Sequence, residues 1–293
     1  MTAAALALAH ESPEPPGVPG AAAVMARASE ENFPVALRLL AGRERRALQA
    51  VYGFARLADE LGDELDGDRP TALGWLQAEL GRAYGGQART PLLVALQSAL
   101  AERSLPREPF ERLIEANRVD QHVNRYQTWE QLRGYCELSA NPVGELVLAI
   151  FDLHTPERVR LSDSVCTGLQ LTEHLQDVAE DAQRGRVYLP EADLARFGCS
   201  PQRLENPGLT RAVAFELARA RELLWAGAPL AASIDRWRPK LAIAAFAAGG
   251  LAALEQIERA HFEVLGGVAP AGGAMRVRWL GRLLRASQRE RRS

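Results

Sequence analysis

The sequence predicts an all-α fold, on three observations. From Ser29 onward Ala, Leu, Arg and Glu dominate and apolar residues recur at three and four positions, β-branched runs are scarce, and turn-forming residues cut the chain at helix-length intervals.

Residues 1–28, rich in Ala and Pro, read as a disordered lead-in. Their apolar run from Ala3 to Ala9 lacks the preceding basic residues of a secretory signal. Helices are expected from 29 to 275, with breaks at Asp66-Gly67-Asp68-Arg69-Pro70, Tyr84-Gly85-Gly86, Leu105-Pro106, Thr155-Pro156 and Pro190, making eight to ten in all. The segment from Arg184 to Pro190 interrupts helical patterning and reads as a loop folded over a site. Leu241 to Leu254 is 14 apolar residues, short of the roughly 20 that span a bilayer, and reads as a buried core helix. Residues 276–293 form a basic amphipathic tail, with seven arginines interleaved with Val277, Trp279, Leu280, Leu283 and Leu284. It reads either as a peripheral contact with anionic lipid or as a last helix with a solvated charge run.

With 293 residues, 47% of them hydrophobic, the chain can bury one large core around an internal cavity. A net charge of -2 and a pI near 6.3 argue against a nucleic-acid partner, which needs a basic face. Cys136, Cys166 and Cys199 are odd in number and far apart, as suits a reducing cytoplasm. The histidines lack the spacing of a zinc site.

The chemistry-bearing segments are Asp59-Glu60-Leu61-Gly62-Asp63 and Asp177-Val178-Ala179-Glu180-Asp181. On a helix each i,i+4 aspartate pair projects from one face, and like charges so placed repel by a few tenths of a kcal/mol. A compensating hard cation such as Mg²⁺ answers that repulsion. A lone acid pair more often decorates a solvated face. Here apolar stretches, Val51 to Ala58 and Thr167 to Thr172, lead into both, as they would beside a cavity.

Tyr52-Gly53-Phe54-Ala55-Arg56 before Asp59, Tyr135-Cys136 followed by a turn to Gly144, and Gln170 through Pro190 together resemble the squalene and phytoene synthase family, over about Asn32 to Gly266. The resemblance implies a single-domain class I isoprenoid-synthase bundle with a central cavity. It implies Asp59, Asp63, Asp177 and Asp181 as Mg²⁺ ligands, with Glu60 and Glu180 as helpers. Tyr52 and Arg56 match diphosphate contacts, Arg184, Arg186 and Tyr188 match a phosphate-gripping loop, and Asn32 and Phe33 match a substrate-closing segment. Tyr135 matches a tyrosine near the reacting carbons. Read without the resemblance, Arg56 is an ion pair with Asp59 or Glu60, and Tyr52 and Tyr135 are core aromatics.

Asn32-Phe33-Pro34-Val35, Ser139-Ala140-Asn141-Pro142-Val143-Gly144 and Leu175-Gln176-Asp177-Val178 are closest to the family's hydroxysqualene-forming, hopanoid-pathway branch. That branch implies presqualene diphosphate as substrate, handed over by the synthase that makes it, ionisation with rearrangement, and capture of the cation by water without NADPH. Ser139, Asn141, Gln170 and Tyr135 would position that water, or else serve helix–helix hydrogen bonding. Gln176 lies beside the diphosphate site. Glu173 departs from the branch, which usually has Asn there. Two alternatives stand beside it: head-to-head condensation of two prenyl diphosphates, and a non-enzymatic assembly factor, whose relatives have lost the aspartates retained here.

Overall fold

The computed structural model describes residues 13–26 and 40–290. In chain order it contains α1 (Ala21–Ala26), α2 (Gly42–Asp59), a π-helical turn (Glu60–Glu64), α3 (Arg69–Tyr84), α4 (Pro91–Glu102), α5 (Glu108–Val119), α6 (Trp129–Ser139) and α7 (Asn141–Ile150). There follow α8 (Pro156–Gln176), α9 (Val178–Gln183), α10 (Glu191–Arg196), α11 (Gly208–Ala226), α12 (Pro229–Ala232), α13 (Trp237–Arg259) and α14 (Gly273–Glu290). Ten of these helices have ten residues or more, in line with the expected eight to ten, and four are shorter. No strand occurs among the described residues, where isolated bridges join Arg125 to Val187 and Ser200 to Arg203.

The chain divides into two compact units, Met1–His122 with Glu145–Leu153, and Val123–Gly144 with His154–Ser293. In the first, α2 buries Ala47, Leu48, Val51, Phe54 and Leu57, the three-and-four spacing that puts one face into a core. Each such leucine contributes about 1.5–3 kcal/mol on burial. Phe54 meets Phe110 of α5 edge-on, with ring centroids 5.0 Å apart. Asp68 starts α3 by accepting the Thr71 backbone N–H at 3.0 Å, and Pro70 fits the first turn, where no amide is needed.

In the second unit α8 packs against α11, α13 and α6. Thr155 caps α8 and Pro156 opens it. Helix α13 is long and apolar enough to cross a membrane, yet most of its apolar stretch is buried inside the protein. It is therefore a core helix, as its sequence predicts. The loop from Arg184 to Pro190 is tied down: the Val187 N–H donates to the Asn124 carbonyl at 2.9 Å and the Glu191 N–H to that of Tyr126 at 2.9 Å.

The lead-in needs correction, because part of it is helix α1, whose Val24 is fully buried. The tail belongs to helix α14, which starts at Gly273, and its Trp279 and Leu283 are buried, as in the last-helix reading. In both cases apolar side chains found a tertiary surface that composition does not reveal.

Candidate functional site

The first acidic segment sits where α2 gives way to the π turn. The Leu65 N–H reaches back to the Glu60 carbonyl at 2.9 Å, so the segment carries one extra residue in its turn. Such π bulges concentrate at functional sites because they re-aim side chains. Gly62 permits this one: a Cβ there would overlap the Asn117 side chain of α5. Asn117 is buried and donates to Asp59 Oδ1 at 3.1 Å and to the Leu113 carbonyl at 3.1 Å, while the Gln121 amide donates to the Gly62 carbonyl at 2.9 Å.

Asp59 is exposed to solvent yet lies deep among protein atoms. Desolvation pushes its carboxyl up to about 7, opposed by the Asn117 hydrogen bond and Arg56, with Asp63 and Asp120 adding to the rise. Arg56 binds Glu60 at 3.2 Å and Glu64 at 3.1 Å, the ion-pair alternative extended to a second acid. Tyr52 is half-buried one turn earlier on α2, and Asp63 is half-buried in the π turn.

The second acidic segment also marks a break. Asp177 ends α8 and precedes α9, with φ -99° and ψ 9° rather than helical values, and the Asp181 N–H still closes a turn on its carbonyl at 2.8 Å. Asp181 is pushed up to about 7 by desolvation and then by Asp177, with Arg186 pulling the other way. Asp177 is raised by desolvation and by Glu180. Arg184 pairs with Glu180 at 2.8 Å on the surface, and the Arg186 N–H donates to the Asp181 carbonyl at 2.8 Å. Gln176 is half-buried at the end of α8, and Glu173 is exposed one turn before Asp177.

Between α6, α8 and the loop at 188, the second unit assembles an aromatic cluster. The Tyr188 ring stacks on His174 at 3.9 Å and 10°, with Tyr135 at 5.7 Å and Tyr126 at 5.9 Å from Tyr188. His174 is buried, and desolvation drops it to about 3, so the imidazole is neutral. It lies 3.2 Å from the Gln170 amide nitrogen through Nε2, which must then accept, leaving the ring proton on Nδ1.

Polar groups lie on, or hydrogen-bond to, the helices that carry this cluster. The Ser139 hydroxyl, one turn beyond Tyr135, is buried without a hydrogen-bond partner among the described residues. Asn141 is buried, and its Oδ1 accepts from Thr167 of α8 at 3.0 Å, so it does bridge helices. Gly144 lets α7 approach α8, since a Cβ would overlap the Ser162 hydroxyl and the Cys166 thiol.

The fold thus gathers Arg56, Asp59 and Asp63 in one unit, and Tyr135, Ser139, Asn141, Gln170, Asp177, Asp181, Arg186 and Tyr188 in the other. Asn32 and Phe33 lie outside the described residues. Asn117, Gln121, Tyr126, Thr167 and His174 were not anticipated. The polar i,i+4 spacing of Asn117 and Gln121 on an otherwise apolar helix face was the available signal.

No three His, Cys, Asp or Glu side chains among the described residues converge into a ready metal cluster. The donor set nevertheless fits Mg²⁺, which keeps several waters and needs one or two carboxylates plus substrate phosphate. Desolvation raises the carboxyls of Asp59 and Asp181 to about 7, a cost of ionisation that a bound cation would offset.

Residues 26–281 match the model of squalene/phytoene synthases. A hydroxysqualene synthase of Rhodopseudomonas palustris is 35% identical over 263 residues, covering 84% of this chain and 88% of that protein. A 15-cis-phytoene synthase of Synechocystis is 34% identical over 190 residues, covering 60% of this chain and 56% of its own length. The crystal structure of squalene synthase HpnC from Alicyclobacillus acidocaldarius aligns with a TM-score of 0.77 and 42% identity, over 81% of this chain and 92% of that one.

Proposed function

The chain belongs to the squalene/phytoene synthase family, and from that premise we propose that it converts presqualene diphosphate and water to hydroxysqualene and diphosphate. The observation that carries the reading is the cluster of Tyr135, His174 and Tyr188, with Gln170 hydrogen-bonded to His174 and the buried Ser139 hydroxyl one turn beyond Tyr135: π faces and hydrogen-bonding groups suited to holding one water. Names of relatives support it, since hydroxysqualene synthases of three organisms match at 33–35% identity.

The carbon–oxygen bond breaks with its electron pair leaving on diphosphate. The aspartates of each acidic segment, Asp59 with Asp63 and Asp177 with Asp181, would hold Mg²⁺, which when bound would supply neutralisation of the charge on that leaving group. Arg186, beside Asp181, adds a fixed positive charge, and Arg184 joins it on leaving Glu180. Tyr135, Tyr188 and Tyr126 present electron-rich faces to the cation while it rearranges. Gln170 and Ser139 orient the water. Its oxygen forms the new bond to carbon, and its surplus proton passes to the departed diphosphate, the strongest base the reaction provides.

Head-to-head condensation of two prenyl diphosphates is the second reading, favoured by the likeness to the Synechocystis phytoene synthase. Incubating purified protein with Mg²⁺ and either presqualene diphosphate or farnesyl diphosphate, without NADPH, separates them. Hydroxysqualene from the first substrate is the expected result. Consumption of farnesyl diphosphate with no hydroxysqualene from presqualene diphosphate overturns the proposal.

A further inference from the structure

We infer that the solvent face of α14, together with the start of α13, is a docking surface for an anionic lipid bilayer. The argument is independent of which diphosphate the protein turns over. Trp279 and Leu283, central to the apolar stripe of the tail, are buried in the second unit. The Trp279 ring meets Trp225 edge-on at 6.3 Å, and its indole N–H donates to Glu255 at 2.7 Å. That stripe is committed to the fold and is not available for insertion into lipid.

What α14 turns to water is basic. Arg278, Arg282 and Arg285 are exposed, at spacings of four and three that place them along one stripe. Glu255 neutralises Arg278. The Arg282 guanidinium lies over the Trp279 ring at 4.6 Å, and neither Arg282 nor Arg285 has an acidic partner among the described residues. Val277, beside this stripe, is 69% exposed.

Helix α14 touches α13 at Glu255 near its own start and packs on α12, which precedes α13, so it runs back toward the first residue of α13. There Trp237 stands 60% exposed, with Arg238 over its ring at 5.2 Å. Arg236 and Lys240 are close in sequence, and Asp235 is the acid nearby. Guanidinium groups match lipid phosphates, and an exposed indole matches the headgroup boundary. A soluble polyanion would satisfy the arginines and leave Trp237 without a role.

The test is flotation of the full-length protein with phosphatidylcholine vesicles, with and without phosphatidylglycerol, at low and high salt. Binding is expected to require phosphatidylglycerol and to be lost at high salt. Each arginine removed should weaken it about fivefold, so Arg282→Gln with Arg285→Gln should lose roughly twenty-five-fold, while the two Lys replacements retain it. Trp237→Ala should weaken vesicle binding and leave binding to inorganic polyphosphate unchanged. No binding to anionic vesicles, equal binding to neutral ones, full binding by the Gln double variant, or capture by polyphosphate alone would each overturn the assignment.

Discussion

The two acidic segments share a spacing in the sequence and differ in how the protein holds them. At the first, Asn117 donates to Asp59, Gln121 holds the Gly62 carbonyl, and Arg56 engages Glu60 and Glu64. At the second, no hydrogen bond reaches the Asp177 or Asp181 carboxylate from the described residues, and three acids crowd one turn. The first segment is aimed by the protein before any ligand arrives. The second is held through its backbone alone and carries crowded charge. The proposed reaction, which starts by separating charge, would use both: a fixed point of reference in the first unit and, in the second, carboxylates whose repulsion a bound cation would relieve.

The largest effect should come from removing charge at either segment. Asp59→Asn and Asp177→Asn are each expected to lower turnover of presqualene diphosphate by about a thousandfold or more, the equivalent of some 4 kcal/mol of lost charge stabilisation. Near-normal turnover in either variant would break the pairing of the segments.

Next in size is the support of the first segment. Gly62→Ala would drive a methyl group into Asn117 and should cost about 1–3 kcal/mol of stability. Asn117→Ala removes a hydrogen bond to a carboxylate, at about 2 kcal/mol, and should reduce turnover by about ten- to a hundredfold, as losses behind a ligand do. Thermal melts with initial rates measure both. If the two variants lose neither stability nor rate, the first segment is no better held than the second.

Much of this was legible in sequence because it rests on short-range pattern. The acid pairs, the breaks at Asp68 and Thr155 and the buried run of α13 follow from local spacing and capping chemistry. The π turn was not, since what permits it is a contact between Gly62 and a side chain 55 residues away in the chain. His174 was missed for the same reason: its sequence neighbours show only that it lacks the spacing of a zinc ligand, and the Tyr188 loop, returning over α8, stacks on it as a buried neutral ring. The tail could be read two ways in sequence because amphipathicity tells that a face is apolar and not what covers it. Trp279 and Leu283 found α13 and the second unit, which left the arginines outside.

The smallest expected effect separates the segments by pH. In metal-free protein Asp59 and Asp181 both titrate near 7, above the unfolded value near 4, so the folded state holds their protons more tightly. Stability is then greatest below pH 4 to 5 as far as these groups go, and their contribution is lost as pH rises through about 7. Solvent access screens both carboxyls, so the loss should be about 1 kcal/mol, or roughly 2–4 °C in melting temperature, between pH 5 and 8. Asp181→Asn should flatten that slope more than Asp59→Asn does. Asp177 adds to the rise at Asp181, whose carboxylate no described residue hydrogen-bonds, whereas Asn117 and Arg56 favour the ionised form of Asp59. Adding Mg²⁺ should raise the wild-type melting temperature at pH 8 and leave it nearly unchanged at pH 5, with the gain halved or less in Asp181→Asn. Equal slopes in the two variants would mean that the protein supports both segments alike.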